Sequence, residues 1–146
     1  MFTSSKRFGP ISVGHRQWKS SSHCSFVHGY GRVVDITVAC KERDSKGWVM
    51  DFGGLKEIKQ WLWDKWDHKL LIANDDPLIS TFHELHIAKG CDLMVMPEGY
   101  GPGIEDSCKY LFDKIGDMVR VQTNKRVRVK KVRIYEHEYN WAEYEE

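Results

Sequence analysis

Residues Gly31 to Cys40 alternate, with Val34, Ile36, Val38 and Cys40 on one side and Val33, Asp35, Thr37 and Ala39 on the other. That period of two predicts a strand. Phe8, Ile11 and Val13 predict an earlier strand over 1–14, interrupted at Gly9-Pro10 as an edge or bulged strand is. The Ser-, His- and Gly-rich stretch 15–29 reads as a loop, and Asp44-Ser45-Lys46-Gly47 as a turn. Further on, the spacing changes. Asp51 stands in N-cap position before Leu55, Ile58, Leu62 and Trp66, which line one helical face. A second helix is predicted from Asn74-Asp75-Asp76-Pro77 through Leu78, Phe82 and Leu85 to a stop at Gly90. Leu93 to Met96 predicts a short strand, and Pro97 to Gly103 a loop. A third helix then carries Ile104, Cys108, Leu111 and Ile115 and ends near Gly116. In the last strand Val127 and Val129 are odd-numbered, whereas Val132 and Ile134 are even-numbered. One extra residue must be absorbed to keep the apolar face, which predicts a β-bulge at Lys130-Lys131. The order of elements indicates an antiparallel α+β domain of four strands with helices on one face. Its exposed strand edges predict oligomerisation.

The chain has 146 residues, with 22 Lys+Arg against 21 Asp+Glu. Such a length fits one domain, and the balanced charge gives no global pull toward a polyanion. No apolar run approaches the roughly 18 residues of a membrane span, and no apolar segment follows the first residues as in a signal peptide. Cys24, Cys40, Cys91 and Cys108 are widely spaced and read as reduced, cytoplasmic thiols. The cations between Arg120 and Arg133 alternate with valines as on a solvated strand face, with no stacking aromatics, so a nucleic-acid partner is not expected.

Three groups of residues are candidates for chemistry. His15, Cys24, His28 and Tyr30 cluster in sequence, and His28 and Tyr30 share a face of an extended segment. If the two early strands pair, His15 joins them, a set of nitrogen donors of the kind zinc takes. Cys24 is close enough to be a nucleophile or base instead of a ligand, and solvated loop histidines are the plain alternative. Asp67-His68 follows a helix end. It is either a carboxylate–imidazole pair for proton transfer or a C-terminal histidine favoured by the helix dipole. Glu136 ends the final strand and Glu105 opens a helix, where acids are stabilised in any case.

These stretches together resemble the 6-pyruvoyl-tetrahydropterin synthase and 6-carboxytetrahydropterin synthase (QueD) family. The resemblance runs through Gly14-His15-Arg16-Gln17-Trp18, Cys24-Ser25-Phe26-Val27-His28-Gly29-Tyr30 and Gly47-Trp48-Val49-Met50-Asp51-Phe52-Gly53. It continues through Trp66-Asp67-His68-Lys69-Leu70-Leu71 and Asn74-Asp75-Asp76-Pro77 to Val132-Arg133-Ile134-Tyr135-Glu136. It implies a T-fold (tunnelling fold) over 1–146 as one domain, commonly assembled as a hexamer. It also implies a Cys24 thiol as catalytic base, an Asp67–His68 relay, and Glu136 as the pterin anchor that assists proton movement. Glu105 helps to hold the pterin, and zinc (Zn2+, one per subunit) sits at His15, His28 and the position of Tyr30. The implied substrate is 7,8-dihydroneopterin triphosphate, and the preferred reaction is that of the 6-carboxytetrahydropterin lyases of the queuosine, or 7-deazaguanine, precursor pathway. A pyruvoyl-type synthase on the same substrate is the first alternative. A metal-deficient T-fold protein that binds a pterin or purine without turnover is the second. The chain departs from the family's His-Gly-His at His28-Gly29-Tyr30, with His23 as another donor nearby, and its Gly99 to Gly103 loop is longer.

Overall fold

A computed structural model describes residues 1–146. Six strands form one sheet: β1 (Phe2–His15), β2 (His28–Cys40), β3 (Lys69–Ile72), β4 (Leu93–Val95), β5 (Val127–Tyr135) and β6 (Trp141–Glu145). Three helices accompany them: α1 (Lys56–Trp66), α2 (Ile79–Ile87) and α3 (Ile104–Gln122). The sheet order is β4-β3-β1-β2-β5-β6. Four expected strands have thus become six, and β1–β3 and β3–β4 pair in parallel while the other pairs are antiparallel.

The irregularities in the ladder fall where the apolar parity shifts. Thr37 pairs with Lys131 and Val38 with Val129, so Lys130 is the extra residue of a bulge in β5. β1 slips between Phe8 and Ile11. There Gly9 has φ +126°, and a Cβ would lie 2.7 Å from the Arg32 carbonyl oxygen, so only glycine fits.

The even-numbered face of β2 packs under α1 and α3 in a core of 25 buried residues, among them Ile36, Val38, Ile58, Leu62, Leu111 and Ile115. Short β3 contributes to both faces. Leu71 joins this core, while Leu70 and Ile72 meet Phe82 of α2 on the opposite side. Asp51 caps a 3-10 turn (Phe52–Leu55) through the Gly53 N–H at 2.8 Å, and α1 follows directly. The third helix does not end near Gly116. It continues to Gln122 because Val119, one turn on, is fully buried, and that burial outweighs a mid-helix glycine's cost of about 1 kcal/mol. No helix is long and apolar enough to cross a membrane.

Candidate active site

Strand register builds one end of the site. His15 lies opposite His28, Val13 opposite Tyr30, and Ile11 opposite Arg32. His28, Tyr30 and Arg32 alternate along β2 and therefore share its inner face with His15. The His15 and His28 rings are 4.4 Å apart, and Tyr30 lies 5.9 Å and 5.5 Å from them. His15 and Arg32 are fully buried, whereas His28 and Tyr30 are half-buried.

Arg32 is a functional candidate that the sequence reading passed over. Its guanidinium lies 5.3 Å from the Trp66 ring and donates to the Ser107 hydroxyl at 3.1 Å, the Pro102 carbonyl at 2.7 Å and His15 Nδ1 at 3.4 Å. All three acceptors are neutral. Burial pulls its pKa below the ordinary arginine value, with Glu136 opposing the shift. The signal was present in the sequence, since Arg32 has the parity of Val34, Ile36 and Val38 and so puts a cation on a core-facing position.

The two imidazoles have different partners. His28 Nδ1 faces the Phe26 carbonyl oxygen at 2.7 Å, and because a carbonyl only accepts, this nitrogen carries the hydrogen. His15 Nε2 is buried with no partner. Burial first, then Arg32 and His28, lower the His15 pKa to about 3, which keeps that ring neutral. Tyr30 is pushed above the usual phenol value by burial and by the nearby Glu136 and Cys24 charges. Its phenol is therefore protonated at neutral pH and is a poor third ligand beside two imidazoles. With Arg32 set against His15 as well, the donor set falls short of the three-nitrogen zinc centre that the resemblance implies.

Cys24 sits on a half-buried 3-10 turn (His23–Ser25) that Arg16 fastens. Arg16 donates to the Ser25 carbonyl at 3.2 Å, and its fork grips both oxygens of buried Asp76 at 2.7 and 2.8 Å. Beside it lies a cleft of about 810 Å³ lined by residues that include Trp18, Lys19, Asp75, Tyr100 and Glu105. Glu105 is exposed in the first turn of α3, and Arg32 senses its charge. Glu136 follows β5 at the level of Arg32 and is half-buried.

Asp67 and His68 form a couple of their own. Asp67 Oδ2 is 2.9 Å from His68 Nδ1, and Oδ1 accepts from the Ser12 N–H at 3.1 Å. The His68 hydrogen bond, followed by that of Ser12, holds the carboxyl below its ordinary pKa against a desolvation that raises it. His68 has φ +59°, a conformation costing roughly 1–2 kcal/mol outside glycine. Its N–H to the Ser12 carbonyl, 2.7 Å, fixes that backbone. The side chain is 81% exposed, which leaves Nε2 open to accept a proton. Ser12 is three strand residues, about 10 Å, from His15, so within one chain this couple stands apart from the buried cluster.

The basic strand has a structural explanation. Lys130, Lys131 and Arg133 pair with Glu145 and Glu143 of β6.

Residues 5–146 match the family described as 6-pyruvoyl tetrahydropterin synthase. The chain belongs to that family. A Rickettsia conorii relative named 6-carboxy-5,6,7,8-tetrahydropterin synthase is 38% identical over 67 residues, which span 45% of this chain and 49% of that protein. The chain thus spans about half the length of this relative. The Aquifex aeolicus protein of the same name is 25% identical over 93% of both chains. Among solved structures, an uncharacterized protein from Wolinella succinogenes superposes with a TM-score of 0.83 at 20% identity, covering 99% of this chain and 97% of that one. Plasmodium vivax 6-pyruvoyltetrahydropterin synthase superposes with 0.68 at 14% identity, covering 100% and 99%. The fold is thereby the T-fold of this family.

Proposed function

We propose that this member of the pterin synthase family is a 6-carboxytetrahydropterin synthase-like lyase acting on 7,8-dihydroneopterin triphosphate. The observation that carries the reading is the convergence of Glu136, Tyr30 and Cys24 at one end of the sheet, together with relatives named for that activity. Glu136 accepts paired hydrogen bonds from the pterin amino and ring N–H groups, a geometry carboxylates suit. Glu105 supports the bound ring from the start of α3. Cys24, as thiolate, takes a proton from the substrate side chain. The Asp67–His68 couple passes protons onward, with Asp67 fixing the tautomer that leaves His68 Nε2 basic. Loss of triphosphate, addition of one water and release of acetaldehyde then leave 6-carboxytetrahydropterin, the oxidation of the carboxyl carbon being matched by reduction of the dihydro ring.

Zinc held by His15, His28 and Tyr30 would supply Lewis acidity to the side-chain oxygens in the family's pattern. The donor set does not favour it, and the steps above use the chain's own groups. The assembly in this reading is a cytoplasmic homohexamer. Open edges at β4 and β6 support an assembly that covers them.

Incubation with 7,8-dihydroneopterin triphosphate and product analysis tests the proposal. Acetaldehyde release is expected, and Cys24→Ala should lower turnover by about 100-fold or more with the fold intact. A pyruvoyl product would move the chain to the sister activity. Tight pterin binding with no product would make it a binding protein, the reading that Tyr30 motivates.

A further inference from the structure

We infer that Arg32 fixes His15 as an Nε2–H donor facing an acceptor His28, so that this pair takes a ligand hydroxyl and holds no resident zinc. The two rings lie 4.4 Å apart, tilted by 54°, but carry their hydrogens on different nitrogens. A guanidinium has only donors, so its approach to His15 Nδ1 obliges that nitrogen to accept. The neutral ring then bears its hydrogen on Nε2, the buried atom with no partner. His28 is the reverse, because the Phe26 carbonyl takes its Nδ1–H and leaves an Nε2 lone pair.

Zinc requires a lone pair from each imidazole, and here only one of the two offers it on Nε2. A hydroxyl requires one donor and one acceptor, which this pair provides. Moving the His15 hydrogen to Nδ1, which frees an Nε2 lone pair for a metal, would set an N–H against the buried guanidinium, whose other hydrogen bonds to Ser107 and Pro102 hold it in place. Arg32 is thus a positioning residue that acts through His15. The ligand class is an alcohol, and its assignment to the hydroxyls of a pterin side chain rests on the function proposed above.

Long-range 1H–15N spectra of the 15N-labelled full chain at neutral pH read both tautomers directly. His15 is expected with its hydrogen on Nε2 and His28 with its hydrogen on Nδ1; a His15 hydrogen on Nδ1 overturns the inference. Chelator-stripped protein titrated with zinc alone is expected to show no stoichiometric uptake. The double variant Arg32→Met, Tyr30→His should bind zinc about 100-fold more tightly. One tight zinc per wild-type chain that shifts the His15 Nε2 signal also overturns it. Should the double variant fail to fold, the wild-type spectra and titration still decide. Neither readout needs turnover, so failure of the lyase assay leaves this inference standing, and its failure leaves the lyase reading open.

Discussion

Arginines on the two faces of the sheet are held in opposite ways. On the outer face Arg7, Asp35, Arg133 and Glu143 stand side by side across β1, β2, β5 and β6, a row of alternating charge. Arg7 grips Asp35 with two hydrogen bonds of 2.7 Å, and Arg133 meets Glu143 at 2.7 Å. On the inner face Arg32 is fully buried and bonds only neutral acceptors. The outer row is what antiparallel neighbours need for register and solubility. A buried cation with no carboxylate in hydrogen-bond contact, only the more distant charges of Glu136 and Glu105, is costly to the fold, and its presence marks a constraint other than folding.

Removing each arginine separates the two roles. Arg32→Ala empties a buried site and strands the His15, Ser107 and Pro102 acceptors, with an expected loss of about 3 kcal/mol in urea unfolding. A change below about 1 kcal/mol would erase the contrast. Cys108, next to Ser107 on α3, sharpens it through pH. Burial pushes that thiol up to about 12 from 9. The unfolded chain releases the proton near pH 9 while the folded one keeps it, so this contribution to stability is lost as pH rises from 9 toward 12. Tyr110, also raised by burial, acts in the same direction. Cys108→Ala should therefore show a shallower alkaline decline in thermal midpoint than the parent; identical slopes would remove the thiol from the account. The smallest effect is expected at Arg133→Ala, about 0.5 kcal/mol and weaker in high salt. A loss comparable to that of Arg32→Ala would show that the outer row carries the fold.

Long periodic segments were legible because their partners were written into the same pattern. The parity change at Lys130 revealed the bulge, since only one inner face was available to Val129 and Val132. β3 was missed because a short strand between two parallel neighbours is apolar on both faces and shows no alternation. β6 was missed because only Ala142 and Tyr144 turn inward from a run of acids. Of the site, the His15–His28–Tyr30 grouping and the Asp67–His68 couple followed from local spacing. Arg32 did not, because its partners lie 17 to 75 residues away and its charge disguised a core position.

The Arg16 fork makes the thiol's position conditional on a helix some fifty residues further along the chain. The same guanidinium fastens the backbone at Ser25 and the buried carboxylate of Asp76, whose Oδ1 also receives the Leu78 N–H just ahead of α2. Slack introduced at the start of α2 would reach Cys24 as a loosened tether, felt in how often the sulfur is aimed correctly and little in how well the molecule survives heat.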